Sequence, residues 1–311
     1  MKERIKIGIS ACLLGERVRY DGRDSLDHYL RYTMGSLVEW IPVCPEVGCG
    51  LPVPREPMQL VGHPENPRLI TKYTGKDYTE LMNRWLRREI KRLRKEQICG
   101  FVFKSRSPSS GLRGVRIKTP DGRILKGYGL FAKAVMENFP DLPVEDNERM
   151  YNPAIRRGFF MRACIYRRWK DMLKGGMKKS SLRSFHEAHK LTLMAHGPGR
   201  LKEMEELLYS AKKSSSRVVF RQYYSLLMET LKLKCTVRKN YNVLKHILSY
   251  LKCCTPDEMR ALKKGMDDYR RGEIPLIVPV TLINHFAEKY GLNYLRKQYY
   301  LNTFIEPCFL D

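Results

Sequence analysis

One local event recurs in the first half of this chain and limits its fold more than any other feature. A short β-type run ends, with no spacer, in a turn that carries a cysteine or a cluster of serines. Ile5–Ser10 runs into Ser10-Ala11-Cys12-Leu13-Leu14-Gly15. Trp40–Cys44 runs into Cys44-Pro45-Glu46-Val47-Gly48-Cys49-Gly50-Leu51-Pro52, where proline and two glycines argue against a helix. Cys99–Lys104 runs into Lys104-Ser105-Arg106-Ser107-Pro108-Ser109-Ser110-Gly111. Between the second and third runs, Asp77–Lys95 places Leu81, Trp85, Leu86, Ile90 and Leu93 near helical spacing, opposite a strongly basic face. Strands that alternate with helices predict an α/β domain with a mostly parallel, Rossmann-like sheet. In such sheets ligands bind at the C-terminal ends of the strands. The three turns are therefore expected to meet at one site.

The acidic, proline-rich stretch Pro140–Asp146 marks a change of text. It divides the chain into an expected α/β domain over 1–145 and an all-α domain over 150–311. Helices are predicted at Asn152–Leu173, Ser181–Ala195, Lys202–Lys213, Val218–Lys232, Arg238–Leu251, Pro256–Arg271 and Pro279–Tyr290. Pro153 stands in a first turn, and Thr255-Pro256-Asp257-Glu258 reads as a capped helix start. No repeat is visible, and no low-complexity tract beyond Ser214–Ser216.

Charge is distributed unevenly between these halves. The whole chain carries 58 Lys and Arg against 33 Asp and Glu, a net +25. Residues 1–150 hold 27 basic and 19 acidic side chains, whereas 151–311 hold 31 and 14. A thermophile surface raises Glu together with Lys, and here the acids lag behind. A polyanionic partner is the better explanation, and the helical half is the place for it. Apolar runs such as Ile274–Val280 are too short for a membrane span, and Met1–Lys6 has no apolar leader character. These features predict a cytoplasmic protein with no membrane partner. Nine cysteines in such a chain read as metal-binding, catalytic or buried thiols and not as a disulfide framework.

Cys12 and Cys44 each follow a strand directly, where backbone N–H groups can stabilise a thiolate. Cysteines far apart in sequence that converge at a sheet edge suit an iron–sulfur cluster better than zinc, which favours closely spaced pairs. On residue chemistry alone, two buried structural cysteines are the more common arrangement. His186, His189 and His196 share one helix face, a pattern of either a metal face or a packing and RNA-contacting stripe. No acidic or cysteine partner completes a metal set nearby, which favours the second. Cys99, Cys164, Cys235, Cys253, Cys254 and Cys308 read as buried or surface thiols. Tyr166-Arg167-Arg168-Trp169-Lys170 has the composition of a base-stacking surface, although an amphipathic face has the same composition.

Longer motifs narrow the reading. Gly8-Ile9-Ser10-Ala11-Cys12-Leu13-Leu14-Gly15 with Val18-Arg19-Tyr20-Asp21-Gly22, Cys44-Pro45-Glu46 with Gly50-Leu51-Pro52-Val53-Pro54-Arg55, and Phe103-Lys104-Ser105-Arg106-Ser107-Pro108-Ser109 resemble the TudS-like thiouracil desulfidases. Phe185-His186-Glu187-Ala188-His189-Lys190 with Met194-Ala195-His196, Asn242-Val243-Leu244-Lys245-His246 and Pro275-Leu276-Ile277-Val278-Pro279 resemble the YbgA-like helical domain. The fused pair is similar to the bacterial tRNA 4-thiouridine desulfidases, with tRNA as the implied partner.

The resemblance implies a 4Fe-4S cluster held by three cysteines, one iron being open to substrate. Cys12 and Cys44 match two ligand positions. The third should be the cysteine of a Ser-Pro-Ser-Cys-Gly turn, and this chain has Ser110 there. A hydroxyl is a poor iron ligand beside a thiolate, so the resemblance implies a cluster that is absent, labile or altered. Ser110 is then either an engineered replacement or a natural loss, and Cys49 is the nearest candidate to compensate. Glu46 is the expected general base, Ser107 a substrate-orienting or proton-carrying group, and Lys104 and Arg106 substrate-binding residues. The implied reaction is hydrolytic removal of sulfur from 4-thiouridine to give uridine and hydrosulfide. The alternatives are a desulfidase of free thiouracil bases and a non-catalytic RNA-binding protein.

Overall fold

The computed structural model describes residues 4–211 and 215–302. Lys213, at the end of one predicted helix, together with Ser214 and Cys308, lies outside the described residues. The chain divides into two compact units, Met1–Arg167 and Arg168–Asp311.

The first unit is built on a parallel sheet. Its strands β1 (Ile5–Ser10), β2 (Val38–Val43), β5 (Phe101–Phe103) and β8 (Val144–Asp146) lie in the order β2-β1-β5-β8. All three pairings are parallel. Ser10 stands opposite Val43, and Ile9 opposite Val102, so the strands release their turns at one edge. The sheet is buried on both faces, as a parallel sheet requires: Ile7, Ile9, Phe101, Val102 and Phe103 have no exposed surface. Gly8 makes the β1–β5 approach possible, because a Cβ there would lie 2.2 Å from the Phe101 ring.

Two helices complete this core. The predicted basic helix is α2 (Thr79–Glu96), with α1 (Pro45–Gly48) before it and α3 (Leu130–Asn138) after it. Trp85 of α2 meets Phe131 of α3 at 5.6 Å between ring centroids, and Phe131 also packs edge-on against Phe101 and Phe103. The sequence argued against a helix after Cys44, but α1 is a single helical turn there. Pro45 occupies its first position, where a missing N–H costs nothing and the fixed φ suits the helix.

A second sheet was not visible in the sequence. It consists of β3 (Met58–His63), β4 (Asn66–Thr71), β6 (Val115–Lys118) and β7 (Ile124–Gly127) in the order β4-β3-β6-β7. It joins two hairpins through the parallel β3–β6 pair. β4 and β6 alternate buried and exposed residues, but Pro67 lies within β4, β6 and β7 are only four residues long, and β7 buries none of its residues fully. The Pro140–Asp146 stretch contributes β8, whose residues pair in register with Phe101–Phe103.

The second unit is all-α. The short α4 (Asn147–Met150) and long α5 (Pro153–Lys174) lead into it, and the unit division falls within α5. Then come α6 (Lys179–His196), α7 (Pro198–Ser210), α8 (Ser216–Lys232), α9 (Val237–Leu248), α10 (Pro256–Arg271) and α11 (Ile277–Lys289), followed by the single turns α12 (Asn293–Arg296) and α13 (Tyr299–Asn302). Their core includes fully buried Leu191, Val243, Leu244, Ile247, Leu262 and Ile283. At α10 the predicted cap is a full capping box, Thr255 accepting from Glu258 N–H and Glu258 reaching back to Thr255 N–H. Among the described residues no helix is long and apolar enough to cross a membrane.

Candidate active site

The three turns leave the edge of the parallel sheet together and enclose a cavity of about 270 Å³. Cys12, Cys44, Glu46, Lys104, Arg106, Ser107 and Ser110 all line it. Every residue expected at the site therefore borders one space. Arg19, Tyr20, Arg55 and Ser109 also line it, and the sequence reading gave these four no role.

Each turn is held by its own bonds. Cys12 O accepts from Gly15 N–H and Ser25 N–H, which fixes the first turn and the loop after it. Lys104 N–H donates to Ser10 Oγ at 2.9 Å, tying the ends of β5 and β1 together. In the third turn Gly111 N–H donates to Ser107 O at 2.8 Å, and Phe131 N–H to Ser109 O at 2.8 Å. Gly129 packs so tightly here that a Cβ would lie 2.6 Å from the Ser109 backbone. Arg106 sits in the left-handed region, φ +60°, a conformation uncommon for a residue with a side chain. Its guanidinium reaches outward to Glu148 at 3.3 Å.

Burial dominates the electrostatics of the two thiols. Cys12 is pushed up to about 11, first by burial and then by Cys44 beside it, while Lys104 and Arg19 pull the other way. Burial also raises Cys44, opposed by the N–H groups of Val47 and Glu46 at the start of α1. Lys104 is lowered by its own burial. Arg19 is held by Asp21, at 3.2 Å, and this pairing keeps the Asp21 carboxyl at about 2.

Glu46 is fully engaged. Arg55 Nε donates to Oε2 at 2.8 Å and Nη2 adds a second bond to the same oxygen. The remaining bonds of the guanidinium go to Val18 O and Pro52 O. Ser109 Oγ donates to Oε1 of Glu46 at 2.9 Å. Ser107 Oγ lies 3.0 Å from Ser109 Oγ and accepts the N–H groups of Ser109 and Ser110. Since Ser109 gives its proton to the carboxylate, the hydroxyl chain runs from Ser107 through Ser109 to Glu46. Arg55 and Ser109 are the residues sequence reasoning missed. Arg55 lay inside a quoted motif, but nothing in one dimension pairs Ser109 with a carboxylate 63 positions away.

The donor set answers whether an iron–sulfur cluster fits. Two corners hold thiols, Cys12 and Cys44, which must lose their protons to bind metal. The third holds the Ser110 hydroxyl, a hard and weak donor to iron. Cys49 does not compensate: it does not line the cavity, and its thiol turns back to Glu46 O at 3.2 Å. Among the described residues no three His, Cys, Asp or Glu side chains form a metal-holding group. The site therefore fits a three-thiolate cluster at two corners and not at the third. Among the described residues the α6 histidines belong to no metal-holding group, and each Nδ1 has a partner. His189 Nδ1 bonds Phe185 O at 2.7 Å, His196 Nδ1 bonds Leu233 O at 2.7 Å, and His186 Nδ1 meets the Tyr223 hydroxyl at 3.1 Å.

Residues 7–147 match the 2-thiouracil desulfurase family, and residues 190–304 match a protein family of unknown function, DUF1722. The uncharacterized protein YbgA of Escherichia coli (strain K12) is 26% identical over 127 residues, 40% of this chain and 75% of that protein. The uncharacterized protein YbbK of Bacillus subtilis (strain 168) is 26% identical over 145 residues, 45% of this chain and 95% of that protein. Among solved structures, the [4Fe-4S]-dependent thiouracil desulfidase TudS is 30% identical, covering 50% of this chain and 97% of its own, with a TM-score of 0.39. The chain thus carries a 2-thiouracil desulfurase domain over residues 7–147 and a DUF1722 domain over residues 190–304.

Proposed function

We propose that this protein is built as an iron–sulfur desulfidase that removes sulfur from 4-thiouridine in tRNA, and that Ser110 leaves its cluster site one thiolate short. The observation that carries the reading is the convergence of Cys12, Cys44, Glu46, Ser107 and Ser110, from three separate turns, on one cavity. The match of residues 7–147 to the 2-thiouracil desulfurase family supports sulfur removal as the reaction class.

With a cysteine at position 110, Cys12, Cys44 and that thiol would hold a 4Fe-4S cluster, which when bound supplies a soft Lewis acid for a thiocarbonyl sulfur. The protein's own residues account for the rest. Lys104 and Arg19 surround the cavity with positive charge that suits the oxygens of a pyrimidine ring. Water attacking the ring carbon must lose a proton, and Ser107 and Ser109 lead that proton to Glu46. Arg55 and Ser109 orient the carboxylate to receive it. The carbon–sulfur bond breaks, a carbon–oxygen bond forms, and hydrosulfide leaves with no net change of electrons.

The choice of tRNA over a free base rests on charge. Residues 151–311 carry 31 basic against 14 acidic side chains, and a free base needs no such surface. The competing reading, free thiouracil, draws on the size of the cavity, which suits a single base. Sulfide release by the Ser110→Cys protein from thiolated tRNA and from free 2-thiouracil separates them. Faster turnover of tRNA supports the proposal; turnover of the free base alone overturns it.

A further inference from the structure

The helical unit has a cavity of its own, about 570 Å³, that the desulfidase reading does not use. Its wall includes the start of α6 with Ser180, Ser181 and Ser184, together with Arg168, His189 and Tyr299. Two independent observations point to a ligand. First, no side chain caps the N-terminus of the 18-residue α6, whose first-turn Ser180 and Ser181 line the cavity, with Ser184 one turn further on. The Arg168 guanidinium, which lies over the Tyr299 ring at 3.4 Å, adds positive charge to the same wall. Asp171 lines the cavity too, its charge countered by Lys174 at 2.7 Å.

Second, His189 is 1% exposed, and its Nε2 is buried with no hydrogen-bond partner. Its Nδ1 sits 2.7 Å from Phe185 O, a group that only accepts, so Nδ1 carries the proton. Burial holds this imidazole down at about 3, so the ring is neutral and Nε2 presents a bare lone pair. An unmade hydrogen bond at a buried polar atom is costly. The partner it lacks is a donor, an O–H or N–H, while the α6 wall asks for an anion.

A phosphate joined to a hydroxyl-bearing sugar has both groups. The volume lies within the roughly 300–1,000 Å³ range of small-molecule sites. We propose that this cavity binds one ribonucleotide, its phosphate at the first turn of α6 and a ribose hydroxyl toward His189. The tRNA reading above is used only to name an RNA strand as the source, and a free nucleotide shares the chemistry.

The test measures binding by the full-length protein as it stands, so it does not depend on a cluster. Anisotropy titrations compare a single-stranded oligouridylate with the matching deoxy strand, and uridine monophosphate serves as competitor. Ser181→Ala/Ser184→Ala should weaken RNA binding about tenfold, with melting unchanged because Ser184 is exposed and Ser181 half-buried. His189→Phe, which keeps a ring of similar size, should bring the RNA and DNA affinities together. Displacement by the monophosphate would assign the site to free nucleotides, and its failure to displace, with the serine effect present, to the strand. Unchanged RNA affinity in the serine variant overturns the proposal even if His189→Phe does not fold. Loss of desulfidation in the Ser110→Cys protein with this binding intact would count against the catalytic reading alone.

Discussion

Arg55 and Glu46 provide the sharpest quantitative test of the site's architecture, and it can be run on the chain as it stands. Arg55 is 5% exposed at its side chain and Glu46 14%. Two guanidinium bonds reach one carboxylate oxygen, and two more secure the arginine to Val18 O and Pro52 O. Arg55→Met removes all four and leaves a mostly buried carboxylate with only the Ser109 hydroxyl. Breaking a buried pair from one side costs about 3–5 kcal/mol. Residual exposure of Glu46 and the surviving Ser109 bond reduce this to about 2–4 kcal/mol. At roughly 2–4 °C per kcal/mol for a unit of this size, the first unit's melting transition should fall by about 5–15 °C. Adding Glu46→Gln removes the stranded charge, so the double variant should recover about 1–3 kcal/mol relative to the sum of the single variants. Calorimetry of the four proteins closes the cycle. Additive losses, or a stable Arg55→Met protein, would refute the claim that the pair is one buried unit.

Other expectations follow from the same geometry. In a Ser110→Cys background, Glu46→Ala should leave the cluster's visible absorbance intact and lower desulfidation by about 10²–10⁴-fold; near-normal turnover would assign the base role elsewhere. Binding of tRNA by the full chain should weaken steeply with salt, the log–log slope reporting on the order of 4–8 phosphate contacts, and a flat response would remove the electrostatic case for RNA. In the helical unit, Lys289, Tyr290 and the Thr255 N–H hold Glu258 at about 2, below its ordinary 4.5. A depressed carboxyl stabilises above its unfolded pKa and loses that contribution as pH falls through the folded one. Glu258→Gln should therefore lower melting at pH 7, with the difference fading between about 4.5 and 2; an equal difference at pH 2 would contradict the assignment.

The parallel sheet was legible because its strands obey strong local rules. Ile5–Ser10 is a dense apolar run that ends where small residues force a turn, and β1 has those bounds. The helices were legible through period and caps, with Pro256–Arg271 the clearest. The second sheet was hidden because its two hairpins are joined only by the β3–β6 pair between distant segments, and β7 has no buried stripe to detect. At the site, the turns exposed the residues with intrinsic chemistry, Cys12, Cys44, Glu46 and Ser107. Arg55 and Ser109 act only through partners that the fold brings near, so their residue types alone carried no message. Pro45 shows the opposite failure: a residue that breaks a helix interior opens one at its first position.

The central claim is that three turns form a cluster site lacking one thiolate at position 110. The most direct test is anaerobic purification and iron–sulfur reconstitution of the protein as it stands beside Ser110→Cys, followed by absorbance near 400 nm, iron and sulfide content, and sulfide release from 4-thiouridine-containing tRNA. The account predicts a brown Ser110→Cys protein with about four irons per chain that releases sulfide. The serine form should hold little or labile iron and release almost none. A stable cluster and full activity in the serine form, or a colourless and inactive Ser110→Cys protein that is correctly folded, would contradict it.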